Sequence, residues 1–197
     1  LGMSHHSCQD IAAFCSFPDM RVYFPSDHFQ TAKLIEALLQ DEKPAYVRVS
    51  RSATEDVYDE NMEFTLDKAN VVSEGNDVTI LACGEMVPYA VKAAEILQKE
   101  GISAGVTDMY CLKPFDKEAV LTAAKRSKVL VTVEEHSVFG GLGSLVAQVT
   151  AEEAPIRVRQ ITLPDQHLIP GTNKEVFTYY GMDEKGIAQK AKEALAE

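Results

Sequence analysis

From Asp77 to the end of the chain, short apolar runs alternate with amphipathic stretches, and that rhythm most restricts what the chain can fold into. DVTILAC (77–83), SAGVTDMY (103–110), KVLVTVEE (128–135) and IRVRQI (156–161) are β-rich runs. Between and after them, helical periodicity runs over Glu85–Lys99 (ended by Gly101), Asp116–Arg126, about Leu142–Glu153, and Asp183–Ala196 with Asp183 as its cap. Strands that stay apolar on both sides of the pleat need cover on both faces. Strands joined through helices run parallel. The pattern therefore predicts a mainly parallel sheet between two helical layers, an α/β fold.

The first part of the chain is shorter and less regular. RVYF (21–24) is a strand stopped by Pro25, and Ser26 or Asp27 offers an oxygen to cap a helix reaching about Gln40. AYVRVS (45–50) is the next strand. Ser52–Asn76 is acidic and polar and reads as an interdomain linker, with a hairpin around Phe64–Val72. The organisation expected is residues 1–52 as one portion of a domain, 53–76 as linker and 77–197 as a complete second domain. The chain starts at Leu1 without an initiator methionine, which points to an internal position of a longer polypeptide.

Charge and cysteines narrow the function. A net charge of −11 leaves no basic surface to attract nucleic acid or an anionic membrane. One or two local arginines still suffice for a small phosphorylated ligand. No apolar run approaches the ~20 residues of a membrane helix, and no signal-peptide pattern is present. Cys8, Cys15, Cys83 and Cys111 lack the CxxC spacing, so reduced thiols in a cytoplasmic protein are expected.

Three stretches carry candidate chemistry. In SHHSCQD, His5 and His6 precede a helix beginning at DIAAF, which Ser4 or Ser7 would cap and whose first turn holds Asp10. Histidines so placed donate hydrogen bonds or move protons near neutral pH, or simply face solvent. In VRVSRS, Arg48 and Arg51 stand at a strand end, where ligands gather in α/β layers and where a guanidinium fork suits phosphate. A surface pair balancing an acidic chain is the alternative. In VEEHSVFGGLGSLV, the Gly140–Gly143 loop offers backbone N–H groups to an anion or merely packs a strand tightly against a helix, and it lacks both GxGxxG and a P-loop lysine. His136 beside two glutamates is a metal ligand or a hydrogen-bonded core imidazole. A cluster of His5, His6 and His136 lacks the local spacing of a structural metal site, and none is expected.

Taken in order, these stretches resemble one family. MSHHSCQDIAAFCSFPDMRVYFPSD is similar to the transketolase pattern of glycine, Thr/Ser, His and Gln/His followed by a helix, within the pyrimidine-binding domain of thiamine-diphosphate enzymes. VRVSRS resembles the Ser-Arg strand end that closes that domain. TVEEHSVFGGLGSLVAQV and YYGMDEKGIAQKAKEAL resemble the C-terminal domain. The Glu-Glu-His with Gly-Gly-Leu-Gly favours transketolase of the small-subunit type. Deoxyxylulose-phosphate synthase and the β subunits of 2-oxoacid dehydrogenases are the alternatives within the superfamily, and a non-catalytic dimerisation or regulatory module is the alternative outside it.

The resemblance implies a fold, a reaction and roles. The fold is a truncated thiamine-diphosphate pyrimidine-binding domain followed by the mainly parallel α/β/α domain. The reaction is transfer of a two-carbon ketol unit between sugar phosphates, as in the pentose phosphate pathway of carbohydrate metabolism. His5 would be the catalytic residue that reaches the sugar near its reacting carbons, and Arg51 would bind the sugar's phosphate, with His6 and Arg48 in support. Leu1 falls where many transketolases carry an aspartate that recognises a sugar hydroxyl, so a specialised sugar is implied. Thiamine diphosphate and a divalent metal (Mg) belong to the complete enzyme. The glutamate against the cofactor's pyrimidine would lie before Leu1, and the Gly-Asp-Gly motif of the diphosphate-binding domain is absent from the chain. The implied partners are an N-terminal half or subunit carrying that domain and a second copy of this chain, and the isolated chain is expected to be inactive.

Overall fold

The computed structural model describes residues 7–197 as two sheets with helices packed around them. The smaller sheet is built from β1 (Arg21–Tyr23), β2 (Ala45–Val47) and a strand contributed from much later in the chain, β6 (Cys111–Lys113), in the order β2-β1-β6. β1 runs parallel to β2 and antiparallel to β6. Helix α1 (Asp10–Cys15) precedes β1, and α2 (His28–Asp41) connects β1 to β2. Asp27 caps α2 by accepting the Gln30 N–H at 2.9 Å.

The larger sheet has the order β3-β5-β4-β7-β8, formed by β3 (Asn70–Ser73), β4 (Val78–Ala82), β5 (Ala104–Asp108), β7 (Val129–Ser137) and β8 (Val158–Leu163). All its pairings are parallel except that of β3, an antiparallel edge strand. β4 and β5 are buried at every residue, as strands covered on both faces must be. The cover comes from α3 (Met86–Lys99), α4 (Lys117–Arg126), α5 (Leu142–Glu153), α6 (Asn173–Tyr180) and α7 (Glu184–Ala196). Val78, Ile80 and Ala82 of β4 pack with Ala90, Ala93 and Leu97 of α3 on one side. Leu81 and Leu130 pack with Val120, Val146 and Leu142 on the other.

The α/β class and the mainly parallel sheet agree with the sequence reading. Several details differ from it, among them strand β6 and helix α6, which the sequence reading did not contain. The stretch read as a linker is tied down: Asp27 Oδ2 accepts the N–H groups of Val57 and Tyr58 at 2.9 Å each, and the Tyr58 hydroxyl donates to buried Asp108 at 2.9 Å. No hairpin forms around Phe64–Val72, because Asn70–Ser73 pairs with β5 instead. Helix α1 has Gln9 at its N-cap with no side-chain cap, so Ser7 does not cap it, and Ser4 lies outside the described residues.

Candidate active site

A cavity of about 440 Å³ opens where the end of β2, the start of α1 and the C-terminal ends of the larger sheet meet. Ligand sites in parallel sheets gather at that end. Arg48 forms its inner wall. One guanidinium nitrogen donates to the Glu135 carbonyl at 2.7 Å and to Asp10 Oδ1 at 3.4 Å, and the other pairs with the Glu135 carboxylate. The guanidinium also lies 4.4 Å from the centre of the Phe24 ring. Asp10 takes a second hydrogen bond, 2.7 Å from the Tyr46 hydroxyl. Both prongs of Arg48 are thereby engaged inside the protein, and it joins the strand end to α1 and to β7.

Arg51 stands beyond it, exposed at the rim of the same cavity. The structure thus separates the two arginines, one buried in ion pairs and one facing open space. His5 and His6 lie outside the described residues. Ser7, two residues after His5, lines the cavity.

His136 is fully buried. Its Nε2 accepts the Ala12 N–H at 3.3 Å, and its Nδ1 donates to the Ser137 carbonyl at 2.9 Å. Burial lowers its pKa, and the two contacts suit a neutral ring. The glycine loop is equally self-satisfied. Buried Glu134 accepts the N–H groups of Leu142 and Gly143 at 2.7 and 2.8 Å, filling the start of α5 with a carboxylate from within the chain. Gly141 must be glycine there, because a Cβ would fall 2.0 Å from Glu134 Oε2.

Glu85 and Asn173 are wall residues that sequence reasoning did not single out. Glu85 is buried, and its Oε2 accepts Asn173 Nδ2 at 2.7 Å and the Ser50 hydroxyl at 3.1 Å. The local signal for Asn173 was T-x-x-E at Thr172–Glu175, which forms a capping box at the start of α6. Glu85 looked only like the first residue of a helix.

Two family profiles match the chain: one described as transketolase, C-terminal domain, over residues 67–187, and one described as transketolase, pyrimidine binding domain, over residues 1–56. The chain belongs to the transketolase family. It is 45% identical over 194 residues to one subunit of the apulose-4-phosphate transketolase of Phocaeicola vulgatus, covering 98% of this chain and 62% of that protein. It is 38% identical over 192 residues to the 6-deoxy-6-sulfo-D-fructose transketolase subunit SqwH of a Clostridium species, covering 98% and 60%. A solved structure described as a split gene transketolase, inactive beta4 tetramer, superposes with a TM-score of 0.89 at 36% identity, covering 98% of this chain and 63% of that one. The chain spans about three fifths of the length of these transketolase relatives.

Membership of the transketolase family implies dependence on thiamine diphosphate. Two features of the described residues bear on where its diphosphate and divalent metal could sit. No group of three or more His, Cys, Asp or Glu converges as ligands among them, and the N–H groups at the start of α5 are already taken by Glu134. Among the described residues, no helix is long and apolar enough to cross a membrane.

The buried carboxylates have a consequence for stability. Burial pushes Asp108 and Glu134 up to about 7, and burial together with the adjacent Glu85 carboxylate pushes Glu135 up to about 8. An acid whose pKa is raised by folding holds its proton longer in the folded chain than in the unfolded one. Folding then takes up protons between the two values, and stability falls as pH rises through that window. Asp41, Asp77 and Glu175 have lowered values and act in the opposite sense at lower pH, and buried His136, lowered from 6.5, opposes the trend up to about that pH but is one group against three. The melting temperature should therefore peak near pH 5 and decline to pH 8. A melting temperature that climbs across this range in calorimetric scans would contradict the assignment.

Proposed function

We propose that this chain is one part of a two-part transketolase that moves a two-carbon ketol unit between sugar phosphates, and that Arg51 holds the sugar's phosphate. The single observation that carries the reading is Arg51 itself: an exposed guanidinium in the loop after β2, on the rim of a cavity next to an arginine whose charge is already spent. A fork that grips a remote phosphate lends binding energy to orienting the reacting carbonyl. We further assign His5 as the hydrogen-bond donor and proton carrier at the sugar, with His6 in a supporting part. The cavity wall at Ser7 and the family pattern support that assignment. Arg48 supports the site by holding its walls together.

The carbanion chemistry of such an enzyme belongs to thiamine diphosphate, seated with its divalent metal on another subunit or segment. The names of the relatives, which specify one subunit of a larger enzyme and a split gene, support an N-terminal partner of that kind. The description of the superposing structure as an inactive tetramer supports self-association of this chain without catalysis. Apulose 4-phosphate and 6-deoxy-6-sulfo-D-fructose in the relatives' names favour an unusual sugar over the common pentose phosphates, in a cytoplasmic pathway of carbohydrate metabolism. The domain division proposed remains a pyrimidine-domain portion ahead of a transketolase C-terminal domain.

The test is ketol transfer by the complete enzyme on matched phosphorylated and unphosphorylated sugars. Arg51→Ala should raise KM for the phosphorylated member about tenfold to a hundredfold and leave the other unchanged, the range of a lost charge-assisted fork. His5→Ala should lower kcat by roughly tens to thousands of fold. Absence of ketol transfer by the complete enzyme on every sugar phosphate would overturn the proposal.

A further inference from the structure

The loop that carries Arg51 is fixed from the far side of the chain. Ser50, the residue before it, donates its hydroxyl to Glu85 Oε2 at 3.1 Å, and Asn173 donates to that same oxygen at 2.7 Å. Glu85 occupies the N-cap position of α3 but makes no side-chain bond to its own helix start. Its carboxylate points across to the end of β2 instead. Asn173 is the first residue of α6, and its position is set by the capping box of Thr172 and Glu175, in which Glu175 Oε2 accepts the Thr172 N–H at 2.8 Å. All four residues (Ser50, Arg51, Glu85 and Asn173) face one cavity. An arginine on a free loop loses much conformational freedom when it closes on an anion. One whose backbone is already held loses less, and binds more tightly for the same contacts.

We propose that Glu85, braced by Asn173 and acting through Ser50, is a positioning residue that sets where the Arg51 guanidinium meets the phosphate of a sugar phosphate. The inference rests on the reading of Arg51 given above. It makes the larger-sheet half of the chain a contributor to substrate affinity without any contact to the substrate.

The experiment is calorimetric titration of the complete enzyme with apulose 4-phosphate, the sugar phosphate in the name of one relative, and with apulose, for the unaltered protein and for Arg51→Ala, Ser50→Ala, Glu85→Ala and Glu85→Gln. The unaltered enzyme should prefer the phosphorylated sugar, and Arg51→Ala should erase the preference. Ser50→Ala and Glu85→Ala should each cut the preference about tenfold, the worth of a hydrogen bond to a charged group. Neither should reduce it further when combined with Arg51→Ala. Glu85→Gln keeps an acceptor oxygen and should retain the preference. If the unaltered enzyme shows no preference, or Arg51→Ala keeps it, the phosphate grip fails and the positioning role falls with it. If Arg51→Ala erases the preference while Ser50→Ala and Glu85→Ala leave it whole, or weaken both sugars equally, the grip stands and the positioning role is overturned. A Glu85→Gln protein that behaves like Glu85→Ala likewise overturns the hydrogen-bond route. Ser50→Ala, at a loop position, keeps the test open if Glu85→Ala fails to fold.

Discussion

Arg48→Ala should destabilise the fold by about 3–5 kcal/mol, the usual cost of removing one member of a buried ion pair. The magnitude follows from what stays behind. Asp10 and Glu135 lose their cation while remaining in the wall, and Glu85 lies close enough to help raise Glu135 to about 8. The Phe24 ring also loses the guanidinium packed against it at 4.4 Å. Urea titrations should show the deficit most strongly near pH 8. It should shrink toward pH 5, because a protonated Glu135 no longer needs the cation. A deficit under about 1 kcal/mol, of the size found for exposed pairs, would mean that the network contributes little beyond surface electrostatics.

Gly84→Ala should be nearly as severe, at about 3–5 kcal/mol, from two additive causes. Gly84 has φ +58°, a left-handed conformation in which a side chain is strained. A Cβ there would lie 2.2–2.4 Å from three atoms of the Phe24 ring. Phe24 is fully buried and carries Arg48 on its face, so it has nowhere to retreat without moving the ion network. For a chain of this length the melting temperature should drop by about 10 °C. A melting temperature within about 2 °C of the parent would show that the ring can shift freely.

What could be read in the sequence was whatever is decided locally. Asp116 and Asp183 were recognisable as helix starts and Asp27 as one of two candidates with Ser26, because such side chains accept an N–H three residues on, as these do at Ala119, Gly186 and Gln30. The long apolar strands announced a doubly covered sheet for the same reason: the pattern and its cause lie within one run of residues. β6 was missed, and β3 was read as part of a local hairpin, because they are runs of three and four residues whose pairing depends on partners far along the chain. The cavity wall divided in the same way. The exposed position of Arg51 after a strand was legible from its neighbours, although the strand ends already at Val47. The fate of Arg48 was not, because Asp10 and Glu135 lie 38 and 87 positions away. Glu85 and Asn173 meet across 88 positions, and no local pattern announces such a meeting.

The placement of β6 also bears on how the chain comes to be folded during its synthesis. The smaller sheet pairs Val22 with Lys113 and Tyr23 with Cys111, so its third strand does not exist until some 90 residues after β1 has been made. At typical translation speeds that interval is roughly 5–20 s. Throughout it β1 and β2 wait with an open flank, and the strand that closes it arrives only after β4, α3 and β5 have been made. The order of assembly is thereby inverted with respect to the order of synthesis: a strand made early is flanked by one made late. A ribosome stalled before Cys111 would hold a nascent chain in which β1 lacks its β6 neighbour, the kind of species that holdase chaperones recognise.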